Sequence, residues 1–168
     1  MTRVLLVTGA RSLADSRDAE RWARALIAEA LRDVDLLIVG DADGPDAWAW
    51  AEAGCNCVEC HEYITRGPRA GMIAEHRGIG VPRIDRPWSV DHTSPLRRNA
   101  AMARDCKRLA AEGATVSVLA LLDGRKPAVT QPGEKRPTRG TEHTVGLARA
   151  AGLSVREERW PPAPKGTP

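Results

Sequence analysis

Several short stretches carry residues able to hold an anion. Thr8-Gly9-Ala10-Arg11-Ser12 follows an apolar run and offers a turn without a Cβ, a guanidinium and a hydroxyl in succession. Gly140-Thr141 opens a helical pattern, where unpaired backbone N–H groups and a hydroxyl suit a phosphate. Arg98-Asn99 adds a second guanidinium and an amide for charge-assisted hydrogen bonding. Each has a plainer reading as well: an ordinary strand-to-helix turn with an exposed arginine, or an Asn99 that braces a loop. Between them, Gly40-Asp41-Ala42-Asp43-Gly44-Pro45-Asp46 forms a tight acidic turn. Asp46 reads either as an acceptor for a sugar hydroxyl or as the cap of its own helix. Asp41 and Asp43 would repel a phosphate unless a divalent cation bridged them.

A different chemistry is suggested by Cys55, Cys57, Cys60 and His61, three thiols and an imidazole within seven residues. Thiolate and imidazole suit tetrahedral zinc. No second CxxC exists, so His76, His92 and Cys106 are the remaining candidates for a distant half-site. Cys57-Val-Glu-Cys-His61 also matches a haem c attachment string, which requires export. The plain alternative is a reduced loop with incidental thiols.

The elements that position these residues can be read from apolar runs. Arg3–Val7 and Asp35–Gly40 are short continuous hydrophobic stretches, as expected of strands buried on both faces of a parallel sheet. Thr115–Leu122 is the strongest such run. Val81–Trp88, bracketed by prolines, predicts an edge strand, and Leu153–Val155 a last short one. Helical stripes lie between them: Trp22, Leu26, Ile27 and Leu31 within 17–32, a short helix through Trp48 and Trp50, Leu96, Ala100, Ala103 and Leu109 after Ser94-Pro95, and Leu147 and Ala151 after Gly140. Five strand-and-helix units make one α/β sandwich, which takes its ligand at the carboxyl ends of the strands where strand order reverses. Residues 54–81 break the pattern and read as an insertion, 123–139 as a basic loop, and 158–168 as a disordered proline-rich tail.

The 168 residues suffice for one domain, and 42% hydrophobic with 28% charged is a globular composition. Phe is absent and Tyr63 is the single tyrosine, so five Trp with Ala, Leu and Val must fill the core. No apolar run approaches the roughly 20 residues of a membrane span. The sequence enters a strand at once, without a signal-peptide core, and this predicts a cytoplasmic protein. The net charge of +3 does not by itself imply nucleic acid. Residues 123–139 hold five bases and two acids, a local excess that could attract an anion.

The four motifs, in order, resemble the SLOG superfamily of Rossmann-like proteins, in particular the YspA-like, YpsA-related branch common in bacteria and phages. Gly9, Arg11, Gly40, Gly44, Asp46, Ala49, Trp88, Arg98, Asn99, Met102, Gly140 and Thr141 occupy the places of its GSR, GGxxGxD, Trp, RNxxM and GT elements. Asp41 and Asp43 replace a glycine and a basic residue of the second element. The resemblance implies a single Rossmann-like three-layer sandwich with a mainly parallel five-stranded sheet over residues 1–157, plus the Cys/His insertion. It also implies a ligand site of Gly9, Arg11, Ser12, Gly40, Gly44, Asp46, Arg98, Asn99, Gly140 and Thr141.

The leading expectation is a nucleotide or nucleotide-derived ligand, in a sensor or small-ligand enzyme. A second is a phosphoribohydrolase similar to the LOG branch, which cleaves nucleoside monophosphates and carries a glutamate three residues past its GT threonine. Thr144 stands there in this chain, and Glu142 lies about 200° away around the helix. A third is a DNA-binding module, because the DprA proteins resemble the same superfamily. A homo-oligomer is compatible with all three.

Overall fold

The computed structural model describes residues 1–65, 89–92, 94–125 and 140–161. Its centre is β1 (Arg3–Gly9), in which Val4 to Val7 are all buried. The six-stranded sheet is parallel throughout, in the order β4-β3-β2-β1-β5-β6. The other strands are β2 (Leu36–Gly40), β3 (Glu59–Thr65), β4 (Ser89–His92), β5 (Thr115–Asp123) and β6 (Ser154–Trp160). The order reverses between β1 and β5, which pair over the full length of β1 from Arg3–Thr115 to Gly9–Leu121.

Alternation along β1 divides the core into two layers. Leu5 and Val7, with Leu37, Val39 and Leu119, face α1 (Arg17–Leu31) and α2 (Pro45–Cys55). Val4 and Leu6, with Ile38, Tyr63 and Val118, face α3 (Pro95–Ala111) and α4 (Gly140–Ala150). This is the expected three-layer Rossmann-like sandwich. Among the described residues no helix is long and apolar enough to cross a membrane.

Helix starts follow the polar signals. The Ser16 hydroxyl accepts from the Ala19 N–H at 3.3 Å at the head of α1, and Ser94 accepts from the Arg97 N–H at 3.3 Å ahead of Pro95 on α3. On α1 the residues pressed hardest against the sheet are Ala19, Ala23, Ile27 and Leu31, with Trp22 and Leu26 at the margin of that layer. Two alanines let the helix approach where bulkier side chains would hold it away.

The structure departs from the sequence reading at four places. Glu59–Thr65, assigned to the insertion, is a full strand in register with β2, from Leu36–Glu59 to Gly40–Tyr63. Its polar sequence hid it: Cys60 and Tyr63 are buried, but His61 and Glu62 break the apolar run. On α3, Ala103 is buried and Leu109 packs at the margin as expected, but Leu96 is 43% exposed, and the rest of the inward face is Arg98, Asn99, Ala101, Met102 and Cys106. Buried polar residues shifted that stripe. The last strand continues to Trp160, into the segment read as tail, because the Trp160 ring packs on Trp22 with centroids 5.6 Å apart. Asp46 is not a helix cap, since Gly44 holds that position and Asp46 lies in the first turn of α2. The strand expected at 81–88, with Trp88, lies outside the described residues, as do 66–80, 126–139 and 162–168.

Close approach explains the glycine that ends β1. A Cβ on Gly9 would stand 2.3 Å from Pro45 Cγ and 2.5 Å from Pro45 Cβ, both in a rigid ring at the head of α2. Gly9→Ala is therefore expected to lower stability by about 1–3 kcal/mol. Urea denaturation of the variant beside the parent measures it; unchanged midpoints would contradict the tight contact.

Candidate ligand site at the carboxyl edge of the sheet

The ends of β1, β2, β3 and β5 and the first turns of α2, α3 and α4 meet along one edge of the sheet, and two polar networks run across it. The first starts at Thr65, whose N–H and hydroxyl donate to Asp41 Oδ2 at 2.8 and 2.7 Å. The other Asp41 oxygen is ion-paired with the Arg98 guanidinium, and both side chains are buried. Arg98 Nε and Nη2 donate to Asn99 Oδ1 at 3.1 and 3.0 Å. Asn99 Nδ2 in turn donates to the Gly140 carbonyl at 3.1 Å. One carboxylate and one guanidinium thus join β2, β3, α3 and α4.

The second network spans the reversal point between β1 and β5. The Asp123 carboxylate accepts from the Ser12 hydroxyl at 2.7 Å and from Arg125 Nε and Nη2, each at 2.9 Å. The Arg125 backbone N–H also donates to it, at 3.0 Å. Arg125 Nη2 reaches across to the Ser12 carbonyl at 2.8 Å. The hydrogen bonds from Arg125, with a smaller one from Ser12, hold the Asp123 carboxyl down at about 2 against the opposing effect of burial.

The residues singled out from sequence gather at this edge. Gly9 ends β1 against Pro45, and Gly44, at φ +82°, turns beside the backbone of Arg11. Gly40 ends β2 beneath Arg98 and Asp46: a Cβ there would lie 2.6 Å from Arg98 Cζ and 2.6 Å from Asp46 Oδ2. Gly140 and the buried Thr141 open α4. Ser12 is buried, whereas Arg11 is exposed and makes no ion pair among the described residues.

Roles differ from expectation at several positions. Arg98 is buried and engaged with Asp41, so its charge is already matched. Arg98 thereby provides the countercharge for Asp41 that the sequence reading gave to a divalent cation; Asp43 is exposed. Cys55 and Cys57 are exposed at the end of α2, whereas Cys60 is buried in the core layer beside α2. His61 follows Cys60 on a strand, where successive side chains point to opposite faces. The four are not brought together, and among the described residues no group of three or more His, Cys, Asp or Glu is placed to hold a metal ion. Cys106 is buried, and burial with the nearby Asp105 pushes its thiol up to about 12.

Sequence reasoning missed Thr65 and Asp123 as parts of the edge, and read Arg125 only as one base of the 123–139 loop. Asp123 carried a signal, a carboxylate directly after the apolar run of β5. Thr65 carried none, because its strand was not recognised. Thr144 is fully buried and donates to the carbonyl of Gly140 at 2.9 Å, so it serves its own helix. Glu142 is exposed.

No protein-family model and no curated protein matches this sequence. Among solved structures, the chain is similar to the X-ray structure of DNA processing protein A (DprA) from Streptococcus pneumoniae, with a TM-score of 0.57 and 17% identity. The similarity covers 98% of this chain and 52% of that one, so the chain spans about half the length of DprA. At this identity the likeness is one of fold, which the two share over nearly all the chain.

Two outcomes follow from the networks. Arg98→Ala leaves the Asp41 charge buried without its partner, and is expected to cost about 3–5 kcal/mol in chemical denaturation. The Asp123 carboxyl is held below its ordinary value of 3.8, so its stabilising effect is complete above about pH 4 and is lost as pH falls through about 2. The stability gap between the parent and Asp123→Asn is therefore expected to be widest near neutral pH and to shrink below pH 4. A gap that widens on acidification would contradict this assignment.

Proposed function

We propose that the carboxyl edge of the sheet binds the phosphate of a nucleotide or nucleotide-derived ligand, and that the chain belongs with the SLOG superfamily. The observation that carries this reading is Arg11, an exposed guanidinium without an ion-pair partner among the described residues at the turn after the central strand. It stands at the reversal of strand order, the place where open α/β sheets take ligands. Gly9 and Gly44 bring backbone close beside it, and Gly140-Thr141 opens α4 after β5 on the other side of the reversal. Unpaired N–H groups at a helix start favour a phosphate oxygen. Arg98 contributes as a positioning residue, through Asn99 and the Gly140 carbonyl.

Chemistry of the hydrolase type receives less support. The position where the LOG branch carries its glutamate holds Thr144, whose hydroxyl is bonded within α4. We propose binding as the activity, in a cytoplasmic setting. The fold shared with DprA favours a second reading, in which the phosphate belongs to a nucleic acid strand.

Thermal-shift screening against nucleoside mono- and diphosphates, followed by titration of the best of them, tests the proposal, because a ligand selective for the folded state raises its stability. Arg11→Ala is expected to weaken binding about tenfold to a hundredfold, the loss of one charge-assisted bond. Glu142→Gln is expected to leave binding unchanged. If Glu142→Gln instead abolishes cleavage of a nucleoside monophosphate while Arg11→Ala stays active, the hydrolase reading replaces this one. A gel shift with single-stranded DNA that weakens steeply with salt, in the absence of any nucleotide effect, would favour the nucleic-acid reading.

A further inference from the structure

We propose that Arg125, which lies outside every motif of the resemblance, is a second phosphate-binding arginine of the same site, and that the site thereby selects a diphosphate group over a monophosphate. This rests on the reading of the edge as a phosphate site.

Ser12 links the two arginines. Its sequence neighbour Arg11 is an exposed cation, and Arg125 Nη2 donates to its carbonyl from the far side of the β1–β5 boundary at 2.8 Å. One arginine therefore precedes Ser12 in the chain and the other bonds its carbonyl, at the reversal of strand order. They differ in how they are held. Arg11 makes no ion pair among the described residues, whereas Arg125 is clamped by two parallel bonds to Asp123, at 2.9 Å each, on a carboxylate whose side chain is 2% exposed. The Arg125 side chain itself remains 38% exposed, and Nη1 makes no hydrogen bond among the described residues.

A planar guanidinium fixed along one edge keeps its remaining N–H groups aimed in a set direction, so little rotamer freedom is lost when it meets an anion. Asp123 is the positioning residue for this arrangement and does not touch the ligand. It orients Ser12 and Arg125 together through one buried carboxylate. Two guanidiniums, one adaptable and one fixed, offer separate sets of N–H donors to two linked phosphoryl groups, with the Arg125 charge matched by Asp123 and its exposed edge left as the donor.

The experiment titrates inorganic pyrophosphate and inorganic phosphate into the parent protein and into Arg11→Ala, Arg125→Ala, Arg125→Lys and Asp123→Asn, read by calorimetry. The parent is expected to bind pyrophosphate more tightly than phosphate. Arg125→Ala should lose about tenfold or more on pyrophosphate and much less on phosphate, so that the preference disappears. Arg125→Lys keeps the charge but not the fork, and should not restore the preference. Asp123→Asn loosens the fork and should reduce that preference. Circular dichroism confirms that each variant is folded, and in Arg125→Ala the Ser12 hydroxyl and the backbone N–H of residue 125 remain to Asp123. If Arg125→Ala keeps the parent's preference while Arg11→Ala loses affinity, the role of Arg125 is overturned and the phosphate site stands. If the parent binds neither anion, both are overturned.

Discussion

The ion pair between Arg98 and Asp41 is the interaction on which the carboxyl edge depends. Two buried charges carry a desolvation cost of several kcal/mol each, and only good geometry with further hydrogen bonds offsets it. Here the offset is thorough: Asp41 also accepts both donors of Thr65, and Arg98 also donates twice to Asn99. Elements far apart in the chain are tied at one point, β2 and β3 through Asp41 and α3 and α4 through Asn99 and Gly140. Gly40 follows from the same constraint, since any side chain there would collide with the guanidinium.

A second carboxylate repeats the device across the reversal of strand order. Asp123 ties β5 to the turn after β1, and Arg125 closes the triangle through the Ser12 carbonyl. The buried acids Asp41 and Asp123 are therefore matched within the edge, and Arg11 is left exposed. An acidic turn that looks hostile to phosphate in the sequence is neutralised at Asp41 by Arg98.

Sharing a fold with DprA carries the architecture but not the chemistry, because one Rossmann-like sheet serves many ligands. What distinguishes this chain is local. It has a buried threonine bonded within α4 at the position of a hydrolase glutamate, an aspartate where the resembled family has glycine, and an arginine beyond β5 that reaches back to β1.

The sequence by itself determined the sandwich and the edge. Continuous apolar runs at β1, β2 and β5 can be satisfied only by burial on both faces, and glycines ending two of them mark where backbone must turn or approach closely. The starts of α1 and α3 were legible because a serine hydroxyl caps each one. Tertiary structure decided what these local signals could not. Glu59–Thr65 is a strand because β2 offers it a paired edge, although its polar residues give no apolar run. Arg98 is a strut and not an exposed anion binder because Asp41, 57 residues away, reaches it under exclusion of water. Arg125 is held at the carboxyl edge because Ser12, 113 residues earlier, lies across the β1–β5 boundary. Charge and hydropathy patterns report the demands of a residue on its surroundings; only the folded chain decides which distant partner meets them.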